Sequence, residues 1–82
     1  MDRNEVFEKV IEICREVFED DELIITNETT AYDVEGWDSL SHLSLINEIE
    51  MEFRIKFTMG EIQGSKNVGE LIDSLVKHIE GK

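Results

Sequence analysis

The sequence has 82 residues, enough for one small domain and too few for a catalytic domain beside a binding domain. Apolar residues make up 40% of the chain and charged residues 34%, a balance that excludes a disordered tail. No run of residues approaches the roughly 18 apolar positions of a membrane span. We therefore expect a single globular domain over residues 1–82, without a membrane span.

Acidic residues dominate the charge and are concentrated in the middle of the sequence. The chain has 20 acids and 8 bases, a net charge of −12, and no Lys or Arg lies between Arg15 and Arg54. This charge disfavours nucleic acid and favours protein partners with basic docking surfaces. The single cysteine excludes an internal disulfide and the first ten residues lack a signal-peptide pattern, so we expect a cytoplasmic protein.

A first helix is predicted to begin near Asn4 and to end near Asp20, because apolar residues recur there at spacings of three and four. Asp2 or Asn4 is the expected N-cap. Cys14 has no His or Cys at a spacing suited to a metal or a nucleophile, so we interpret it as a buried apolar side chain. The apolar stripe of this helix consists of Val6, Phe7, Val10, Ile11, Cys14, Val17 and Phe18.

The segment between Asp21 and Trp37 shows neither helical nor strand periodicity and is predicted to be a long loop. Gly36 permits a turn near its end. Scattered apolar residues are expected to anchor this loop on the helices: Leu23, Ile24, Ile25, Tyr32, Val34 and Trp37.

A second helix is predicted to begin at its N-cap, Asp38, and to end near Phe53. A rotation of about 100° per residue separates two faces. Exposed apolar side chains beside acids are typical of a surface that binds a partner protein. The predicted core face holds His42, Leu43, Leu45, Ile46, Ile49 and Phe53. The predicted docking strip on the other side holds Leu40, Ser44, Asn47, Glu48, Met51 and Glu52.

Two helix-start motifs of the capping-box type follow, in which Thr58 and Asn67 each precede by three residues a Glu that can return the hydrogen bond. The first opens only a turn or two, because Gly64 and Ser65 follow it. The second opens a final helix, and the fold class is therefore all-α, with three main helices and one short helix. The apolar residues of the final helix are Val68, Leu71, Ile72, Leu75, Val76 and Ile79, with Lys77, His78 and Lys82 near its C-terminal end.

No enzymatic or metal-binding pattern is present in the sequence. One cysteine and two histidines lack the spacing of a zinc site, and a calcium loop around Gly36 would need acids where Ala31 and His42 stand. A serine hydrolase would need a base beside Ser39, whereas His42 points towards the core. We therefore expect no catalytic residue and no metal, and we interpret both His42 and His78 as structural.

Ser39 stands at the start of the second helix, directly after Asp38 and before the exposed Leu40. A phosphate ester on this hydroxyl would lie where free backbone amides and the helix dipole favour an anion by roughly 0.3–1 kcal/mol. The position therefore suits a phosphorylated serine.

The sequence resembles the acyl carrier proteins over nearly its whole length, in Gly36-Trp37-Asp38-Ser39-Leu40, in the acidic loop before it and in the second helix that ends in Glu50-Met51-Glu52-Phe53. The resemblance implies a four-helix bundle and a 4′-phosphopantetheine arm on Ser39, transferred from coenzyme A by a magnesium-dependent phosphopantetheinyl transferase. The thiol of that arm would hold acyl groups as thioesters and present them to acyl-loading and acyl-processing enzymes.

Two alternatives accompany this interpretation. Ser41 and Ser44 stand where carriers of fatty acid synthesis usually have acids, and Trp37 is a bulky residue before Asp38, features that also fit a carrier of a specialised pathway such as polyketide, peptidyl or aminoacyl transfer. The other alternative is an acidic helical adaptor that carries no arm. In either case we expect a monomer.

Overall fold

The computed structural model describes residues 2–81, so Lys82, which we predicted at the end of the last helix, lies outside the described residues. The described chain contains no strand, and no helix in it combines the length and apolar character needed to cross a bilayer. The predicted all-α architecture of three main helices and one short helix is confirmed. In chain order the helices are α1 (Arg3–Val17), a 3₁₀ turn (Ala31–Asp33), α2 (Ser39–Phe53), α3 (Met59–Gly64) and α4 (Val68–Glu80).

Each α-helix begins after a polar side chain that accepts a hydrogen bond from a free amide of the first turn. The predicted caps Asp38, Thr58 and Asn67 all have this geometry. Of the two candidates for α1, Asp2 is the cap and Asn4 lies within the helix. Such bonds depend on residues three apart in sequence, which is why they were predictable.

The two predicted capping boxes differ in their second bond. The carboxylate of Glu61 accepts from the amide of Thr58 at 2.9 Å and closes the box at the start of α3. The carboxylate of Glu70 instead accepts from the amide of Lys66 at 3.3 Å, so the return bond to Asn67 predicted for α4 was wrong.

α1 ends at Val17, three residues earlier than predicted. Glu19 adopts a φ of 53°, in the left-handed region, which an α-helix cannot continue. The amide of Asp20 donates to the carbonyl oxygen of Arg15 at 3.0 Å, so the turn satisfies a carbonyl at the helix end.

One apolar core is shared by the three long helices and the first loop. α1 packs against α2 and α4, and α3 contacts α4. Ile13, which the predicted stripe omitted, is 8% exposed and lies three residues after Val10 on the same face of α1. The largest completely buried side chains are Leu45, Ile49, Ile72, Leu75, Val6, Val10, Val68 and Cys14.

Cys14 is buried within this core, as predicted. Removal of water from around the sulfur raises the pKa of its thiol to about 12, because burial disfavours the charged thiolate. The thiol is therefore an inert apolar group at neutral pH.

Three apolar residues that we predicted to be buried are exposed: Leu43 by 57%, Ile24 by 81% and Tyr32 by 100%. Leu43 lies about 100° around α2 from His42, beyond the edge of the core face. Ile24 lies in an irregular part of the first loop and points outward, while its neighbours Leu23 and Ile25 are partly and fully buried. Tyr32 lies in the middle of the 3₁₀ turn.

The first loop is fixed to the start of α4 by its backbone. The amides of Val68 and Gly69 donate to the carbonyl oxygens of Thr29 and Asn27, both at 2.9 Å. The guanidinium of Arg3 donates to Asn27 Oδ1 at 2.8 Å and to the carbonyl oxygen of Gly69 at 3.2 Å. The loop therefore has a defined path across the bundle. The predicted anchors that are partly or fully buried are Leu23, Ile25, Val34 and Trp37.

Candidate functional site

The start of α2 is shaped by the turn that precedes it. Gly36 has a φ of 85°, a conformation that residues with a Cβ rarely adopt. The carbonyl oxygen of Gly36 accepts from the amide of Asp38 at 3.1 Å and from the hydroxyl of Ser41 at 2.8 Å. These bonds fix the direction in which the chain enters the helix.

Asp38 caps α2 through Oδ1, which accepts from the amide of Ser41 at 2.9 Å. This hydrogen bond holds the pKa of the Asp38 carboxyl below its ordinary value, since it stabilises the charged form. The carboxylate is exposed and ionised at neutral pH. It therefore places a negative charge directly beside Ser39.

Ser39 is the first residue of α2, and its side chain is exposed. Within residues 2–81 its hydroxyl forms no hydrogen bond, whereas the hydroxyl of Ser41 is bonded to Gly36. The Ser39 hydroxyl thus lies at the positive end of the helix dipole and is accessible to another molecule.

Two depressions flank Ser39. A groove of about 930 Å³ lies between the first loop, α2, α3 and the start of α4, and Ser39 is part of its lining. The exposed Leu43 lines this groove together with Met59 and Ile62. A second depression, of about 390 Å³, lies between α1 and α2, and Leu40 is part of its lining.

All six residues of the predicted docking strip are exposed, with Leu40 at 75% and Met51 at 66%. Leu40, Ser44 and Glu48 line the same depression of about 390 Å³. Asn47 is paired with Met51, since its amide lies 3.5 Å from the Met51 sulfur.

The structure also adds to and divides the predicted strip. Glu16 and Val17 of α1 line the depression that contains Leu40, and the sequence pattern of α2 could not reveal residues from another helix. Glu52 instead lines a separate depression with residues of α1, among them Lys9 and Glu12. The acidic side chains around the docking strip therefore come from both α1 and α2.

His42 is structural, as predicted, and connects three parts of the chain. The indole Nε1 of Trp37 donates to Nδ1 of His42 at 3.1 Å, and Nε2 of His42 lies 3.2 Å from the carbonyl oxygen of Ile62. The rings of Trp37 and His42 stack at a centroid distance of 6.1 Å. His42 therefore joins the end of the first loop to α3 and does not act as a base for Ser39.

His78 joins α4 to the start of α3. Its Nε2 lies 2.8 Å from Oε1 of Glu61, and its ring meets that of Phe57 edge-on at 5.6 Å. The hydrogen bond from the Thr58 amide and, next, the contact with His78 hold the pKa of the Glu61 carboxyl below its ordinary value. The two histidines thus contact adjacent residues of the short helix α3, His78 through Glu61 and His42 through Ile62.

Comparison with known proteins identifies the family. Residues 8–75 match a family model described as a phosphopantetheine attachment site. An acyl carrier protein of Thermotoga maritima is 31% identical over 77 residues, which cover 94% of this chain and 95% of that protein. The chain belongs to the acyl carrier protein family. An acyl carrier protein of Clostridium perfringens is 32% identical over 92% of this chain and 99% of its own length.

The fold of this family member agrees with a solved structure. The solution NMR structure of a holo acyl carrier protein from Geobacter metallireducens superposes with a TM-score of 0.85. The two chains are 44% identical, and the match covers 90% of this chain and 85% of the other.

Acyl carrier proteins are carriers and not enzymes, and they hold acyl groups on a covalently attached 4′-phosphopantetheine. Both statements apply to this chain, and the predicted function and cofactor are confirmed. Members of the family interact with a phosphopantetheinyl transferase and with biosynthetic enzymes, and fatty acid synthesis is their usual role. The comparisons therefore argue against an adaptor that carries no arm.

Proposed function

We propose that Ser39 of this acyl carrier protein is the attachment residue of the 4′-phosphopantetheine arm. The observation that supports this assignment is an exposed hydroxyl, without a hydrogen bond inside residues 2–81, at the first position of α2. Backbone amides and the helix dipole at this position favour the negative charge of a phosphodiester. The arm supplies a thiol, which holds acyl groups as thioesters.

The neighbouring serines are less suitable for the attachment. The hydroxyl of Ser41 is committed to the carbonyl oxygen of Gly36 at 2.8 Å, and its backbone amide is committed to Asp38. Ser44 is exposed but lies more than a turn further along α2, where the effect of the helix terminus has declined. Only Ser39 combines accessibility with the helix terminus.

In the attachment step the Ser39 oxygen forms a bond to the phosphorus that bears pantetheine. The bond from that phosphorus to the bridging oxygen of coenzyme A breaks, and adenosine 3′,5′-bisphosphate leaves. The hydroxyl proton passes to a base of the transferase, because the chain's own His42 is occupied by Trp37 and Ile62. Asp38 contributes by holding the first turn of α2 in place.

The docking strip is the proposed recognition surface for the transferase and for acyl-loading and acyl-processing enzymes. Leu40 would enter an apolar depression on the partner, while Asp38 and Glu48 would face basic side chains and Met51 would extend the contact. Burial of the apolar groups supplies affinity, and the charges supply orientation and association rate. Because these charges are exposed, docking weakens as salt is added.

We also propose that residues 1–82 form one domain, which acts as a cytoplasmic monomer and does not bind nucleic acid. One core shared by α1, α2 and α4 supports a single domain. The net charge of −12 supports a monomer that does not bind nucleic acid, since it opposes the association of two copies and of nucleic acid with the protein.

Intact mass spectrometry tests the assignment of Ser39. The purified chain is incubated with coenzyme A, magnesium and a phosphopantetheinyl transferase of broad specificity. We expect the mass of one phosphopantetheine group to be added to the wild type and to the matched controls Ser41→Ala and Ser44→Ala, and no addition to Ser39→Ala. Addition to Ser39→Ala, or an unmodified wild type under conditions that load another carrier, would reject the proposal.

A further inference from the structure

The bridge from Trp37 through His42 to Ile62 allows only one protonation state of the imidazole. An indole N–H only donates a hydrogen bond, and a carbonyl oxygen only accepts one. With Trp37 Nε1 at 3.1 Å from Nδ1, His42 must accept at Nδ1. With the Ile62 oxygen at 3.2 Å from Nε2, it must donate from Nε2. Only the neutral imidazole that carries its proton on Nε2 satisfies both contacts.

The bridge is part of the wall of the groove beside Ser39. Trp37, His42 and Ile62 all line this groove, and they come from the first loop, α2 and α3 respectively. The indole of Trp37 also packs on Phe18 of α1 at a centroid distance of 5.3 Å. The side chains of Trp37 and His42 therefore connect three chain segments, and the contact on α3 is the backbone carbonyl of Ile62.

Few ionisable groups lie near His42. The other ionisable groups that line the groove are Asp38 on α2, Tyr32 in the first loop and Lys66 between α3 and α4. The carboxylate of Glu61 on α3 is hydrogen-bonded to Thr58 and His78. The start of α4 adds only Asn67 and Leu71 to the lining of the groove. α1 places the uncharged ring of Phe18 against Trp37. Within residues 2–81 no carboxylate is hydrogen-bonded to His42 that would hold an imidazolium in place.

We propose that His42 is a pH-sensitive latch on this groove. A proton added at Nδ1 would face the N–H of Trp37, so that two donors meet and the bridge breaks. Trp37 then separates from His42, and the groove opens between the first loop and α3. Since the added proton must displace the Trp37 hydrogen bond, the bridge breaks on acidification and forms again as the pH is raised. This inference does not depend on the assignment of Ser39.

Fluorescence tests the latch, because Trp37 is the only tryptophan in the chain. Between about pH 8 and pH 5, the range in which histidine gains charge, we expect the emission of Trp37 to shift to longer wavelength. We also expect its quenching by acrylamide to increase, which distinguishes exposure of the indole from quenching by a nearby imidazolium. Circular dichroism over the same range should show that the helices persist.

Two variants form the matched comparison. His42→Gln retains an acceptor and a donor but no titrating group, and it should abolish the pH-dependent shift of Trp37. His78→Gln removes the other histidine, which contacts Glu61, and should leave the shift unchanged. A shift that persists in His42→Gln, or that disappears in His78→Gln alone, would contradict the latch.

An NMR measurement on the wild type keeps the test independent of any variant. A long-range ¹H–¹⁵N spectrum of the imidazole rings reports which nitrogen of His42 carries the proton. We expect the Nε2–H form at about pH 8, where histidine is ordinarily neutral, and a change in the Trp37 indole resonance as His42 gains its second proton. An Nδ1–H form, or an indole resonance that ignores the titration of His42, would overturn the proposal.

Discussion

Gly69 lies where the first loop comes closest to the start of α4. A Cβ at this position would be 2.9 Å from the carbonyl oxygen of Asn27 and 3.1 Å from its Cβ, distances too short for unstrained contacts. The amide of Gly69 also donates to that carbonyl oxygen at 2.9 Å. The residue is thus needed for its small size, and its backbone is part of the bond that holds the loop.

Gly69→Ala should therefore destabilise the protein by about 1–3 kcal/mol, the usual effect of overpacking, because the loop must move away from α4. Urea unfolding followed by circular dichroism measures the change. Gly64→Ala is the matched control, since a Cβ there meets no atom within 4 Å and the substitution should stabilise by about 0.4–1 kcal/mol. Equal stability of the two variants would contradict the close approach.

For single residues, the sequence predicted the features that depend on residues close by in the chain. Asp38 as a cap and an exposed Ser39 follow from residues within one turn of each other. The roles of Gly69 and of the Trp37 bridge were not predictable, because their partners Asn27 and Ile62 are distant in sequence.

The second helix packs into the core with one face and exposes the docking strip on the other. Leu45, Ile46 and Ile49 are buried against the rest of the core, while Leu40 and Met51 remain exposed by 75% and 66%. Periodicity predicted this division, and its error concerned Leu43, which lies at the boundary between the faces and is 57% exposed. Whether a side chain at such a boundary is buried depends on the neighbouring element, which here is α3 across the groove. The periodicity of one helix alone cannot predict it.

Substitutions in the docking strip should slow modification without disturbing the helix. We expect Leu40→Ala and Glu48→Lys each to lower kcat/KM of the transferase by roughly 5- to 30-fold, equivalent to about 1–2 kcal/mol, because one removes an apolar contact and the other reverses a charge. Steady-state transfer from coenzyme A measures the effect, and circular dichroism checks helicity.

Glu8→Lys provides the control for this experiment, since it makes the same charge change at an exposed position of α1. It should leave the transfer rate close to that of the wild type. Rates for Leu40→Ala and Glu48→Lys that equal the rate of Glu8→Lys would show that the strip does not contact the transferase.

The whole molecule carries far more negative charge than its contacts neutralise. Among residues 2–81 the Lys or Arg ion pair is Arg3 with Asp73 at 2.9 Å, and Glu61 has a hydrogen-bond contact with His78 at 2.8 Å. The net charge of −12 is therefore spread over a bundle whose radius of gyration is 11.6 Å. Mutual repulsion of the acids opposes the compact state, and the small shared core must offset it.

Added salt should consequently act on stability and docking in opposite directions. Raising ionic strength from about 0.01 M to 0.15 M shortens the screening length from about 30 Å to about 8 Å, which weakens repulsion within the bundle and attraction to a basic partner alike. We expect the Tm to rise while kcat/KM of the transferase falls. Thermal unfolding and transfer assays in the same buffers measure both effects.

A parallel series with choline chloride serves as the control, because a bulky organic cation screens charge without binding carboxylates closely. The same rise in Tm in both salts is the expected result. A Tm that ignores ionic strength would contradict the role assigned to repulsion.

The burial of Cys14 has a consequence for the cargo. An acyl thioester can migrate to any thiolate within reach, since the thiolate is the nucleophilic form of cysteine. The chain has one cysteine, completely enclosed by the core, and burial raises its pKa to about 12. The protein therefore offers no competing thiolate of its own, and a loaded acyl group is not lost by thiol exchange within the chain.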